Sequence, residues 1–215
     1  MKPIVKSDRP ITLIGGGPVD AEHLSRVVAI APLIIAADSG ANRAHDLGYT
    51  VDHIIGDMDS VDISELGGIP QHLIEEQMST DLDKCLYATE APYYVGVGFT
   101  GGLMDHQLAA CHSLVATRKN VVLLGAEDIC FRAPLEFKLT LPIGTRVSLF
   151  PMGKVSGTST GLRWPIEGLK FAPDTKIGTS NKTNAEEVFV TFDQSNMLVI
   201  LPITHLEAVV AQLFS

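Results

Sequence analysis

The sequence predicts an α/β protein: an N-terminal, mostly parallel sheet with helices on both faces, followed by a C-terminal antiparallel β-sandwich. Three observations predict it. From residue 11 to about 130, short apolar runs alternate with stretches of helical periodicity, the pattern of a parallel sheet covered on both sides. Near Pro134 the helical periodicity stops, and short β-rich runs punctuated by Gly and Pro replace it, as in a sandwich. In the first part, Asp38, Asp57, Asp59, Asp81 and Asp105 recur at or just beyond the ends of apolar runs. The division expected is 1–132 and 133–215, with no flexible linker and no internal repeat.

Of 215 residues, 46% are hydrophobic and 19% charged, enough for one large core or two small ones. The net charge of −9 argues against nucleic acid, whose phosphates attract Lys and Arg. It leaves room for a nucleotide bridged by a divalent cation. The opening stretch, Met1 to Pro10, is too polar for a signal peptide. No apolar run reaches the roughly 18 residues of a membrane span. The cysteines, Cys85, Cys111 and Cys130, lack a paired metal-ligand spacing and read as thiols of a reducing compartment. A cytoplasmic protein, with no membrane and no nucleic acid among its partners, is expected.

Taken in order, Ile11-Thr12-Leu13-Ile14 is a strand, stopped by Gly15-Gly16-Gly17. Pro18 suits the first position of the helix marked by Leu24, Val27, Val28 and Ala31. A dinucleotide fingerprint is missing, because the last glycine of G-x-G-x-x-G, counted from Gly15, falls on Asp20. Leu33 to Ala37 is a second buried strand, followed by Asp38-Ser39-Gly40-Ala41-Asn42-Arg43. Small residues there let phosphate or sugar approach main-chain N–H groups. A short helix from Ala41 to Leu47, closed by Gly48, would draw anions to its start, and Arg43 adds a fixed positive charge. An ordinary capped helix accounts for the same residues.

The third strand ends in His53-Ile54-Ile55-Gly56-Asp57-Met58-Asp59-Ser60. Residues two apart in a strand share a face, so Asp57 and Asp59 leave it on one side. Two carboxylates ~4 Å apart repel by about 4 kcal/mol at an effective dielectric near 20. Water, a proton or a hard cation must offset that repulsion. Mg²⁺ takes one or two carboxylates and keeps other positions for water and substrate phosphates. By itself the octapeptide favours a polar turn; the other acidic segments reverse that order.

A connector from Val61 to Gly68 and a strand around His72-Leu73-Ile74 come next. Gln77-Met78-Ser79-Thr80-Asp81-Leu82-Asp83-Lys84 then opens a helix. Thr80 caps it, and Asp83 completes a capping box with Asp in place of Glu. Asp81 and Lys84 have no such duty, and a carboxylate beside a lysine can hold metal and phosphate together. Tyr93 to Phe99 is a fifth strand, and Val121 to Gly125 a sixth. Between them, Thr100-Gly101-Gly102-Leu103-Met104-Asp105-His106 leads into a helix marked by Leu108, Cys111, Leu114 and Val115. In such sheets ligands sit beyond the carboxyl ends of the strands, where the five acids collect.

In the second part, Glu136 to Leu141, Arg146 to Phe150, Val188 to Phe192 and Met197 to Leu201 read as strands, and Leu206 to Leu213 as a last helix. Thr179-Ser180-Asn181 reads as a polar loop. The single tryptophan, Trp164, is more often a core residue. Pro165 and its polar flanks favour a partly exposed ring able to stack on a flat ligand.

Asp38 to Arg43, Gly56 to Ser60, Ser79 to Lys84, Gly101 to His106, and Gly161 to Ile166 with Ser180-Asn181, in this order, make the chain resemble the thiamine pyrophosphokinase family. The resemblance implies an α/β catalytic domain, a thiamine-binding β-sandwich, and a homodimer whose active sites lie between subunits. The implied reaction transfers the β,γ-diphosphate of ATP to the hydroxyl of thiamine, giving thiamine diphosphate and AMP. By the same resemblance Asp57, Asp59 and Asp81 take Mg²⁺. ATP falls to Asp38, Asn42, Arg43, Thr80, Lys84 and Gly102. Thiamine falls to Trp164, Ser180 and Asn181, and Asp105 orients or deprotonates the attacking hydroxyl. The chain departs from the family pattern at Leu103, where an arginine is usual, and at Ser39, where a glycine is. The rival expectations are transfer to another heterocyclic alcohol, such as a hydroxymethylpterin, and a non-catalytic thiamine or nucleotide sensor.

Overall fold

The computed structural model describes residues 2–62, 64 and 66–214. The connector expected from Val61 to Gly68 therefore lies partly outside the described residues. The chain divides into two compact units, Met1–Ser113 with Lys119–Ala126, and Leu114–Arg118 with Glu127–Ser215.

The first unit is built on strands β1 (Val5–Lys6), β2 (Ile11–Ile14), β3 (Leu33–Ala37), β4 (His53–Gly56), β5 (Gln71–Leu73), β6 (Thr89–Glu90), β7 (Tyr94–Val97) and β8 (Val121–Leu124). Helices α1 (Ala21–Ile30), α2 (Gly40–Asp46), α3 (Asp81–Ala88) and α4 (Met104–Ala116) lie between them; the last residues of α4 group with the second unit. Six strands form a parallel sheet in the order β8-β7-β2-β3-β4-β5. β1 and β6 pair separately, also in parallel. Every side chain of β2, β3, β7 and β8 is buried, which is why these strands read as unbroken apolar runs rather than alternating ones.

The strand order runs outward from β2 in both directions, so the topological switch lies between β2 and β7. Right-handed crossovers then put α1 and α2 on one face and α3 on the other. At the switch the two chain turns touch through glycines. The Gly17 N–H donates to the Gly98 carbonyl at 2.9 Å. A Cβ on Gly15 or on Gly17 would sit 2.6 Å from that same oxygen, and Gly98 itself has φ +75°. Helix α1 starts at Ala21, three residues later than Pro18 suggests, because the Asp20 carboxylate caps it by accepting from the N–H groups of Glu22 and His23.

The second unit holds β9 (Asp128–Arg132), β10 (Glu136–Thr140), β11 (Arg146–Pro151), β12 (Val155–Thr160), β13 (Lys170–Phe171), β14 (Gly178–Lys182), β15 (Glu187–Phe192) and β16 (Met197–Pro202), then a 3₁₀ turn (Ile203–His205) and α5 (Leu206–Leu213). Within this unit the strand orders are β14-β11-β16-β9 and β10-β15-β12-β13, and their pairings are antiparallel. In β10 and β15 buried residues alternate with outward ones. The segment read as a polar loop, Thr179-Ser180-Asn181, is strand β14, paired with β11. Its polar composition reflects outward side chains: only Asn181 in it is buried. The reading of the sequence also leaves out β9, whose apolar alternation spans only Ile129 to Phe131 between charged ends, β12, rich in Ser, Thr and Gly, and the two-residue β13.

Gly17→Ala should cost about 2 kcal/mol by forcing the two turns apart, lowering Tm by roughly 4–8 °C in a thermal melt. Gly67→Ala, where an added Cβ meets nothing within 4 Å, should leave Tm unchanged. Equal Tm values for both variants would contradict the packed crossing.

Candidate active site

The carboxyl edge of the parallel sheet carries a cavity of about 530 Å³. It is lined from β2 by Gly16 and Gly17, from β3 by Ser39, from β7 by Gly98, Phe99 and Thr100, from the start of α3 by Thr80 and Asp81, and from the region of α4 by Gly102, Leu103 and His106. A crevice at a topological switch point is where open α/β sheets take ligands.

Beside it, three carboxylates gather around Lys84. This side chain is only 2% exposed, and its Nζ donates to Asp57 Oδ2 at 3.0 Å and lies 3.8 Å from Asp81 Oδ1. Burial pushes the ammonium toward neutrality. The hydrogen bond to Asp57 and the charges of Asp57, Asp81 and Asp38 outweigh that, and the net shift of its pKa is upward. The Lys84 hydrogen bond, followed by that from Gln77, holds the Asp57 carboxyl down at about 2. Asp38 is displaced the other way. Burial first, then the charges of Asp81 and Asp57, push it up to about 6, although it accepts a 2.8 Å hydrogen bond from the Met58 N–H.

Local structure explains why these groups meet. Asp38 (φ 44°) and Met58 (φ 62°) are both left-handed, so the chain turns sharply after β3 and after β4. Asp tolerates that conformation; for Met it is uncommon. A side chain at Gly56 would place Cβ 2.2 Å from the Asp38 carboxylate. Thr80 and Asp83 form the expected capping box, which fixes Asp81 in the first turn of α3 and Lys84 one turn later.

Sequence reasoning missed the loop that holds this arrangement from outside. The Gln77 amide donates to Asp57 Oδ2 at 2.6 Å. Glu76 accepts from the Met78 N–H at 2.7 Å, the Ser79 N–H at 3.1 Å, the Ser79 hydroxyl, and the Tyr87 hydroxyl at 2.7 Å. Those donors, Ser79 Oγ and Tyr87 first, hold the Glu76 carboxyl down at about 2. An acid three residues before a Ser-Thr pair was the available signal, and it resembles any polar turn.

The remaining candidates divide. Asp59 is exposed, and its N–H reaches Asp57 Oδ1 only at 3.5 Å. Asp105 is exposed and accepts from the His106 N–H. Arg43 is exposed. Asn42 is engaged with Asp62 through both amide groups, at 2.8 and 3.0 Å. So the structure brings Asp38, Asp57, Asp81 and Lys84 together, and it does not add Asp59 or Asp105 to that cluster. Among the described residues no group of three or more His, Cys, Asp or Glu side chains is arranged to hold a metal ion. The donors present are nonetheless carboxylate oxygens, the chemistry Mg²⁺ takes, and the raised Asp38 pKa marks crowding of negative charge that a cation would relieve.

In the second unit Trp164 is 51% exposed, as expected, with the Arg163 guanidinium 4.9 Å from its ring centre. Asn181 is buried. Its amide accepts from the Trp164 N–H at 3.2 Å and donates to the Trp164 carbonyl at 2.7 Å, so it positions the tryptophan backbone. Ser180 is exposed, left-handed at φ 62°, and its N–H donates to the Ser148 hydroxyl.

A carboxyl whose native pKa exceeds its unfolded value, here about 6 against 3.8, takes up its proton first in the folded state. The Asp38 contribution therefore strengthens as pH falls through that window and is weakest above it. Asp38→Asn, neutral throughout, should raise Tm relative to wild type at about pH 7.5 in metal-free buffer and lose that advantage by about pH 4.5. An offset independent of pH would contradict the cluster.

Comparison with known proteins gives the assembly a family. Residues 24–124 match the family described as thiamin pyrophosphokinase, catalytic domain, and residues 135–197 match thiamin pyrophosphokinase, vitamin B1 binding domain. Thiamine pyrophosphokinase 1 of Oryza sativa subsp. japonica is 30% identical over 201 residues, covering 76% of each chain. The fold is similar to yeast thiamin pyrophosphokinase (TM-score 0.76, 16% identity, covering 100% of this chain and 94% of that one). It is also similar to thiamine pyrophosphokinase from Bacillus subtilis (TM-score 0.73, 21% identity, covering 90% and 98%). With both of its domains matched in order, the chain belongs to the thiamin pyrophosphokinase family of transferase enzymes.

Proposed function

We propose that this enzyme is a thiamine pyrophosphokinase, transferring the β,γ-diphosphate of ATP to the thiamine hydroxyl, and that the carboxyl edge of its parallel sheet binds ATP. The observation that carries the proposal is the Asp38–Asp57–Asp81–Lys84 cluster beside the switch-point cavity. Diphosphate transfer needs positioning and charge stabilisation more than covalent chemistry from the protein, and this cluster supplies fixed charge of both signs. Lys84 is held by Asp57 and by Asp81, and Asp81 lines the cavity, so Lys84 is proposed to meet phosphate oxygens from behind that wall. Gly16, Gly17 and Gly98 leave main-chain space for a nucleotide. Asn42, Arg43, Thr80 and Gly102 complete the proposed ATP set.

Asp57, Asp59 and Asp81 are the proposed ligands of Mg²⁺, with Asp38, whose pKa burial and the charges of Asp81 and Asp57 raise, as a supporting acid. Bound there, Mg²⁺ would neutralise triphosphate charge and orient the transferring group. Asp105 is the proposed base, and exposure beside the cavity-lining His106 leaves its carboxylate free to meet a hydroxyl. Trp164 and Ser180 are proposed to hold thiamine, with Asn181 fixing the tryptophan. A homodimer with active sites between subunits, and residence in the cytoplasm, belong to the same reading. The latter is supported by the three cysteines, which form no disulfide among the described residues.

Incubation with ATP, Mg²⁺ and thiamine should yield AMP and thiamine diphosphate by mass detection, and excess EDTA should abolish both. Asp57→Asn and Asp59→Asn should each lower kcat about 100-fold or more, the order seen when a preorganised charge-stabilising group is lost. Trp164→Ala should raise KM for thiamine roughly 3- to 10-fold, as loss of one ring stack implies. Near-normal turnover of Asp59→Asn would remove it from the ligand set. Ligand binding without AMP would favour a sensor, and faster turnover of a hydroxymethylpterin another substrate.

A further inference from the structure

At the opposite end of β4 from Asp57, two histidines meet. His53 opens β4, and His72 is the middle residue of β5. In the register of these parallel strands Ile55 stands opposite His72. His53 lies two residues before Ile55, so both imidazoles project from one face of the sheet. There His72 Nε2 lies 3.1 Å from His53 Nδ1. The ring centres are 5.1 Å apart and the planes are tilted by 42°, so the rings meet by their edges. Both side chains are half-buried, and β5 is the last strand of its sheet, which leaves the pair within reach of solvent.

Two nitrogens that ligate one ion at about 2.0–2.1 Å each, in adjacent square-planar or tetrahedral positions, stand roughly 2.9–3.4 Å apart. The separation of His53 Nδ1 and His72 Nε2 falls inside that range. Without a metal the contact is a hydrogen bond, in which one inner nitrogen carries the proton and the other accepts it. Coordination by both requires that the donor ring carry its proton on the outer nitrogen instead, and no proton is gained or lost overall. Among the described residues neither ring makes another hydrogen bond, so the outer nitrogens, His53 Nε2 and His72 Nδ1, are open to that proton. Burial first, and then the charge of His53, push the His72 pKa down, which favours the neutral ring that a metal needs. Imidazole nitrogens suit Zn²⁺, Cu²⁺ and Ni²⁺, whereas Mg²⁺ takes oxygen.

We propose that His53 Nδ1 and His72 Nε2 form a two-histidine site for a transition-metal dication of the Zn²⁺ class, with water filling its remaining positions. The site is separate from the carboxylate cluster at the other end of β4. It does not depend on the reaction assigned to that cluster.

Titration of Zn²⁺ into the untagged full chain, in competition with a chromophoric chelator, tests this, with excess Mg²⁺ present to occupy oxygen-ligand sites. His53→Gln and His72→Gln should each weaken binding at least ~10-fold, since even a group behind a metal ligand is worth that much. His112→Gln, at an exposed histidine of α4, should leave the affinity unchanged. In the chain labelled with ¹⁵N-histidine, Zn²⁺ should move the resonances of His53 Nδ1 and His72 Nε2 and leave both outer nitrogens protonated. Saturating Zn²⁺ should raise Tm for wild type and not for the two glutamine variants. Each variant is compared with itself, so a loss of intrinsic stability does not obscure the result. Equal zinc affinity in wild type and both variants would put the ion elsewhere and overturn the site. So would no binding up to about 1 mM Zn²⁺, or coordination through only one of the two rings.

Discussion

A lysine buried among carboxylates is the interaction on which the active-site arrangement depends. Lys84 could not keep its charge at 2% exposure without Asp57 at 3.0 Å and Asp81 at 3.8 Å to offset its desolvation. The dependence is mutual. Asp38, Asp57 and Asp81 come from the ends of two strands and the start of a helix, and without a cation among them their repulsion would spread the edge. One buried ammonium thus fixes the relative placement of β3, β4 and α3. The net charge left over is negative and faces a cavity, an arrangement suited to a ligand that brings its own cation.

The surrounding structure keeps that cluster from relaxing. The capping box at Thr80 sets where α3 begins, and hence where Asp81 and Lys84 stand. Glu76 ties the preceding loop to Tyr87 on the same helix, while Gln77 reaches across to Asp57. Left-handed turns at Asp38 and Met58 aim the two strand ends. Glycine contacts between the β2 and β7 turns open the cavity next to it without widening the sheet.

Most of this architecture is legible in the sequence because parallel strands buried on both faces leave unbroken apolar runs. Strands β2, β3, β4, β7 and β8 and helices α3, α4 and α5 follow such runs or helical stripes closely. The capping box is written in four residues, Thr80 to Asp83. Legibility fails where composition and conformation diverge. Helix α1 begins at a carboxylate cap rather than at Pro18. β14 hides in polar residues because its side chains point outward. The site shows the same limit. Spacing along a strand put Asp57 and Asp59 on one side, but the left-handed turn at Met58 breaks that alternation. Asp38, from the end of a neighbouring strand, joins Asp57 and Asp81 around Lys84, which spacing along one strand does not show. Partners supplied across the sheet, such as Gln77 for Asp57, follow from register and turn geometry, which no local pattern carries.

The central claim is that the carboxylates around Lys84 receive the metal and phosphates of a nucleotide. It is tested most directly by a crystal structure with Mn²⁺ and a non-hydrolysable ATP analogue. The account predicts an anomalous peak at coordination distance from Asp57 and Asp81, with the terminal phosphates within hydrogen-bonding reach of Lys84 Nζ. A metal and triphosphate bound elsewhere, with the Lys84 cluster unchanged, would contradict it.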